Sequence, residues 1–144
     1  MASQEGRELL GHVLVPLANE EDARRTARAL RPYAPRQITL LYVVEKAGGA
    51  PDKLSPEQAK TIGQEAFAAF DEILMSDDER LAFGTDITET IFDVAVEEDA
   101  SVIAFSSRGG GRIVRWLTGD LALSLTTENA IPVLALPQED PEDA

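Results

Sequence analysis

The chain has no cysteine, one histidine, one tryptophan and only three lysines in 144 residues. Without cysteine there is no disulfide framework and no thiolate to bind zinc, hold an iron–sulfur cluster or act as a nucleophile. Lys46, Lys53 and Lys60 all follow non-glycine residues, so the glycine-lysine turn of a P-loop is missing. No apolar run approaches the roughly 18 residues of a membrane helix. The opening MASQEGRELLG lacks the basic start and apolar stretch of a secretory leader, so a cytoplasmic soluble protein is expected.

What the chain has in excess is acid. Asp and Glu number 26 against 13 Lys and Arg, for a net charge of −13. Such a field repels phosphates, which disfavours nucleic acid and anionic membranes as general partners. The lysine-poor acidic composition suits the salt-rich cytoplasm of a halophile, where screening removes self-repulsion, or else an acidic protein of an ordinary cell. With 44% apolar and 27% charged residues, the chain is globular, and at this length it buries about two thirds of its unfolded surface.

Two hydrophobic periods alternate. His12–Ala18, Gln37–Val44, Ser101–Phe105 and Val133–Leu136 are short, nearly continuous apolar runs, the pattern of strands buried on both faces of a parallel sheet. Between them lie helical patterns. Glu20–Leu30 sets Ala23, Ala27 and Leu30 opposite Arg24, Arg25, Arg28 and Arg31. Ser55–Leu74 opens on Ser55-Pro56-Glu57-Gln58, a capping box with proline in the first turn. Thr85–Glu98 and a short Asp120–Thr127 complete the helices. A βαβ repeat then needs a strand at Arg80–Phe83, assigned as a weak edge, with Asp77, Asp78 and Glu79 before it as a solvated turn. Right-handed crossovers give an α/β fold, an open five-stranded parallel sheet with helices on both faces. Residues 1–144 read as one domain with its core at about residues 12–137, a flexible N-terminal segment and an acidic tail, QEDPEDA.

In open α/β sheets, ligands settle at the carboxyl ends of the strands where the winding reverses. That directs attention to Ala18-Asn19-Glu20 and to Ser106–Thr118. The second loop holds Gly109, Gly110 and Gly111 flanked by Arg108, Arg112 and Arg115. Such a loop makes either an anion nest of backbone N–H groups or a tight turn whose arginines neutralise nearby acids. Trp116 either packs beneath it or stacks on a base. The only histidine, His12, starts the first strand, about 20 Å from the carboxyl end at 3.3 Å per residue. It therefore cannot serve Ser106 or Ser107 as a base, and no catalytic constellation is expected.

Val13-Leu14-Val15-Pro16, Leu40-Leu41-Tyr42-Val43-Val44, Ser101-Val102-Ile103-Ala104-Phe105 and Ile131-Pro132-Val133-Leu134-Ala135-Leu136 together resemble the universal stress protein family over residues 12–137. The resemblance implies strand order 3-2-1-4-5, an adenine nucleotide alpha hydrolase-like fold, and dimerisation through the last strand, Val133, Leu134, Ala135 and Leu136. In one subgroup it also implies ATP binding. That subgroup's signature is Gly, two residues, Gly, nine residues, then Gly followed by Ser or Thr. Gly109 and Gly119 match, but Ser106 takes the first glycine position and Asp120 the final hydroxyl position. Pro16 matches too, and Val43 or Val44 lies where the family's backbone meets adenine. The aspartate that holds the ribose two residues beyond Pro16 is Ala18 here.

Asp120 stands where the last helix begins, so its carboxylate can take the N–H groups a triphosphate would use. One like-charge contact at 4 Å costs about 4 kcal/mol at an effective dielectric of 20. The expectation is a regulatory binding module without a cofactor, with lost or weakened ATP binding, acting on an unknown protein or an anion. The alternative is an ATP-binding stress sensor that regulates a partner such as a transporter.

Overall fold

A computed structural model of the chain describes residues 8–45, 55–106 and 131–137. The strands β1 (Val13–Pro16), β2 (Ile38–Glu45), β3 (Asp78–Gly84), β4 (Val102–Ser106) and β5 (Val133–Leu136) alternate with the helices α1 (Glu20–Leu30), α2 (Pro56–Asp71) and α3 (Ile87–Glu97). All strand pairs are parallel, in the order β3-β2-β1-β4-β5, as expected. The expected helix Asp120–Thr127, the loop residues 107–119, the N-terminal segment through Arg7 and the tail from Gln138 lie outside the described residues.

Period-two alternation divides the core between the two faces. Val13, Val15, Leu40, Val102 and Ala104 enter one apolar cluster with Ala23, Ala27 and Leu30 of α1 and Phe67 and Phe70 of α2. Leu14, Leu41 and Ile103 enter the other with Ile91, Val94 and Ala95 of α3. Each central strand therefore buries both faces, which is why these segments read as unbroken apolar runs.

The helices begin where their caps dictate. The Asn19 side chain accepts from the Asp22 N–H, the Asp86 side chain from the Glu89 N–H, and Ser55 and Gln58 form the reciprocal capping box. Gly63 of α2 rests on Tyr42, so that a Cβ there would lie 2.7 Å from the Tyr42 ring. The helix approaches the sheet more closely than any larger residue allows.

The third strand corrects the sequence reading. It runs from Asp78 to Gly84 and pairs with β2 along its whole length, from Thr39–Asp78 to Glu45–Gly84. The acids ahead of it are not a solvated turn. Asp77 accepts the Ile38 N–H at 2.8 Å and donates its own N–H to the Ile38 carbonyl, clamping the starts of both strands, while Asp78 and Glu79 already belong to β3. Arg80 pairs with Glu97 and Glu98 at the end of α3. An edge strand meets solvent on one side, so it tolerates charges that disguise it in the sequence. The ends of other elements shift by one to three residues: β1 stops at Pro16 because the chain turns into the α1 cap, and α2 stops at Asp71, whose carboxylate receives the Ser76 N–H and hydroxyl.

Candidate functional site at the carboxyl ends of β1, β2 and β4

From β1 the chain crosses to β2 on one side, whereas β4 joins the other side of β1. The winding reverses between β1 and β4, and the crevice of such a sheet lies above their carboxyl ends. Pro16 closes β1 there, and Ser106, 1% exposed, closes β4 beside Leu136.

The strands end at different heights. Pro16 is level with Leu41, and β2 continues four residues further, to Glu45. One last ladder bond runs from the Leu17 N–H to the Leu41 carbonyl at 2.8 Å. The backbone groups of alternate strand residues face the same neighbour. Leu41 faces β1, so Val43 presents its N–H and C=O to the side that β1 has left, and Val44 faces β3, where it is level with Phe83. Of the two valines, Val43 is therefore the one whose backbone borders the crevice, and Val44 is a buried packing residue.

The turn after β1 is held by a pair of reciprocal bonds. Asn19 Oδ1 accepts the Asp22 N–H at 2.8 Å, and Asp22 Oδ2 accepts the Ala18 N–H at 2.9 Å. Asp22 is 3% exposed, and Thr26 Oγ1 lies 3.4 Å from its Oδ1. Burial raises the pKa of the Asp22 carboxyl above its ordinary value, and the Ala18 N–H, Arg25 and Thr26 counteract it only in part. Glu20, Glu21 and Asp22 fill the first turn of α1, so the positive end of that helix is already complemented by its own carboxylates. Asp22 escaped the sequence reading, although Asn19 and Asp22 stand at the spacing of a capping box.

The structure brings Pro16, Ala18 and Val43 to one end of the sheet. Arg108, Gly109, Gly110, Gly111, Arg112, Gly119 and Asp120 lie outside the described residues. His12 sits at the opposite end, where its Nε2 is 2.8 Å from Thr39 Oγ1 and its N–H donates to Ser101 Oγ. It is a strand-end residue, as expected. Among the described residues, no three His, Asp or Glu side chains are grouped as metal ligands, and no helix is long and apolar enough to cross a membrane.

The family model for the universal stress protein family matches residues 10–137. The chain belongs to the universal stress protein family. A search of curated proteins finds no match. Among solved structures, the chain resembles a universal stress protein from Archaeoglobus fulgidus in complex with dAMP at 18% identity and a TM-score of 0.60, covering 90% of this chain and 99% of that one. A family member from Arabidopsis thaliana with AMP bound aligns at 16% identity and TM-score 0.56, covering 93% and 96%. UspA from Lactobacillus plantarum aligns at 16% and 0.54, covering 92% and 100%. These likenesses support the open parallel fold of the family.

Proposed function

We propose that this universal stress protein is a regulatory binding module whose crevice receives an anion or an acidic group of a partner, and whose ATP affinity is lost or weak. One observation carries the reading. Where the family resemblance places a ribose-holding aspartate there is Ala18, and the Ala18 N–H is taken by the buried Asp22 carboxylate. The turn thus has neither the side-chain acceptor for sugar hydroxyls nor a free backbone donor at that position. Asp120 would add a fixed negative charge where the phosphates would dock. The residues at hand do not fit a tightly held triphosphate.

Binding rather than catalysis suits the rest of the molecule, because the only imidazole is bonded to Thr39 at the far end of the sheet. The ligand's anchors would be the Val43 backbone together with Arg108, Arg112 and the glycines Gly109, Gly110, Gly111 and Gly119. A second reading, an adenine nucleotide sensor, is favoured by the dAMP and AMP seen in the Archaeoglobus and Arabidopsis structures. Calorimetric titration with Mg-ATP and with AMP, at low and high salt, separates the two. The first reading expects no saturable heat at micromolar protein, and the sensor reading expects a saturable isotherm.

We further propose that two copies pair through Val133, Leu134, Ala135 and Leu136, each β5 antiparallel to its twin, which covers an exposed sheet edge.

A further inference from the structure

We propose that Asp22 is the positioning residue of the turn between β1 and α1, and that this turn is a proton-linked element of the crevice. The turn has no glycine and no side-chain hydrogen bond from Ala18. What fixes it is the reciprocal pair in which Asn19 caps the Asp22 N–H and Asp22 reaches back to the Ala18 N–H. An ionised carboxylate accepts such a bond more strongly than a protonated one, so the hold on Ala18 tightens as Asp22 loses its proton.

The described residues place few other groups near that proton. Among the described residues, Arg25 on the next turn of α1 favours the charged form, and Glu21 pairs with Arg25 at 3.4 Å. Arg24 is engaged by Glu20 and by Glu72 beyond α2. The elements packed against α1 supply apolar side chains to the same cluster, Leu17 after β1, Ala66 and Phe70 from α2, Ala104 from β4 and Leu136 from β5. Burial dominates and moves the titration upward from the ordinary aspartate value. Acidification therefore loosens the Ala18 bond.

The functional consequence rests on the reading of the crevice given above, because Ala18 faces the same strand end as Val43. The structural claim does not. It is tested on uniformly 15N-labelled full-length protein by following the Ala18 amide through a pH titration of the wild type, Asp22→Asn and Asp22→Ala. In the wild type the Ala18 amide proton is expected to shift upfield on acidification, with a midpoint above the ordinary aspartate range. Asp22→Asn, whose Oδ1 still accepts, is expected to abolish that titration and keep amide protection within about threefold of wild type. Asp22→Ala is expected to speed Ala18 amide exchange about tenfold, the equivalent of one lost hydrogen bond. An Ala18 amide that ignores pH between 3 and 7, or that exchanges equally fast in the wild type and Asp22→Ala, overturns the proposal. Adding inorganic phosphate to the same wild-type sample judges the crevice separately. Shifts centred on Ala18, Asn19 and Val43 support it, and an unchanged spectrum rejects it without touching the Asp22 result.

Discussion

Asp22 shows how a single buried acid changes the meaning of its neighbours. Its carboxyl titrates above the ordinary value of 3.8 because burial outweighs the donors around it. A raised acid pKa contributes stability that is fully present below the unfolded value and is lost as pH rises through the folded one. Asp22→Asn removes that loss. Urea denaturation at a series of pH values is expected to show the variant gaining stability relative to wild type from about pH 4 upward, with the difference levelling off near neutrality. A difference that falls as pH rises would mean that the carboxylate is better stabilised than its burial implies. The capping-box spacing of Asn19 and Asp22 sets Asp22 apart from Glu20 and Glu21, but the one-dimensional pattern does not show that its carboxylate turns back to the Ala18 N–H.

A second residue-scale prediction concerns Ala34, which ends the short 3-10 turn Arg31–Tyr33 in the left-handed region at φ 50°. A Cβ is disfavoured there by roughly 1 kcal/mol. Ala34→Gly is expected to raise stability by about 0.5 kcal/mol after the greater freedom of glycine in the unfolded chain is subtracted, read as a higher denaturation midpoint at unchanged slope.

At the scale of elements, the sequence displayed the strands that are apolar along their whole run and concealed the one whose residues are largely charged. The apolar runs of β1, β2, β4 and β5 and the Ser55 capping box are local signals, and the corresponding elements form close to where the pattern puts them. β3 is carried by partners that lie far along the chain: Asp77 on Ile38, and Arg80 on Glu97 and Glu98. Its charged sequence looks like surface because one of its edges is surface.

Contact between α2 and the sheet depends on Gly63, and Gly63→Ala drives a methyl into Tyr42. Alanine gains about 1 kcal/mol of helix propensity, but overpacking costs about 1–3 kcal/mol. The variant is expected to be destabilised by about 1 kcal/mol, and a thermal midpoint above wild type would show that α2 can slide on Tyr42 freely.

For the whole molecule, the parallel α/β class was legible because two hydrophobic periods alternate along the chain, while the order β3-β2-β1-β4-β5 is what the family resemblance implied. The Gly-rich loop from Gly109 to Gly119 could be read for composition alone, and its placement lies outside the described residues. The proposed dimer has a test set by register. The Pro132 carbonyl bonds the Ile103 N–H, so by alternation Leu134 also faces β4 while Val133 and Ala135 face outward. Ala135→Pro removes one outward N–H and leaves the β4 ladder intact. Sedimentation is expected to show a monomer for the variant and a dimer for the wild type, with unchanged circular dichroism. An unchanged sedimentation coefficient would place any association elsewhere. The net charge of −13 makes the fold salt-dependent as well, and the melting temperature is expected to rise with potassium chloride until self-repulsion is screened.

The decisive measurement is calorimetric titration of the full-length wild type with Mg-ATP, with the Ala18→Asp variant alongside. The expected result is no saturable heat at micromolar concentrations for the wild type and a measurable gain in affinity when the missing carboxylate is restored. Saturable micromolar binding by the wild type, undiminished in high salt, would contradict it.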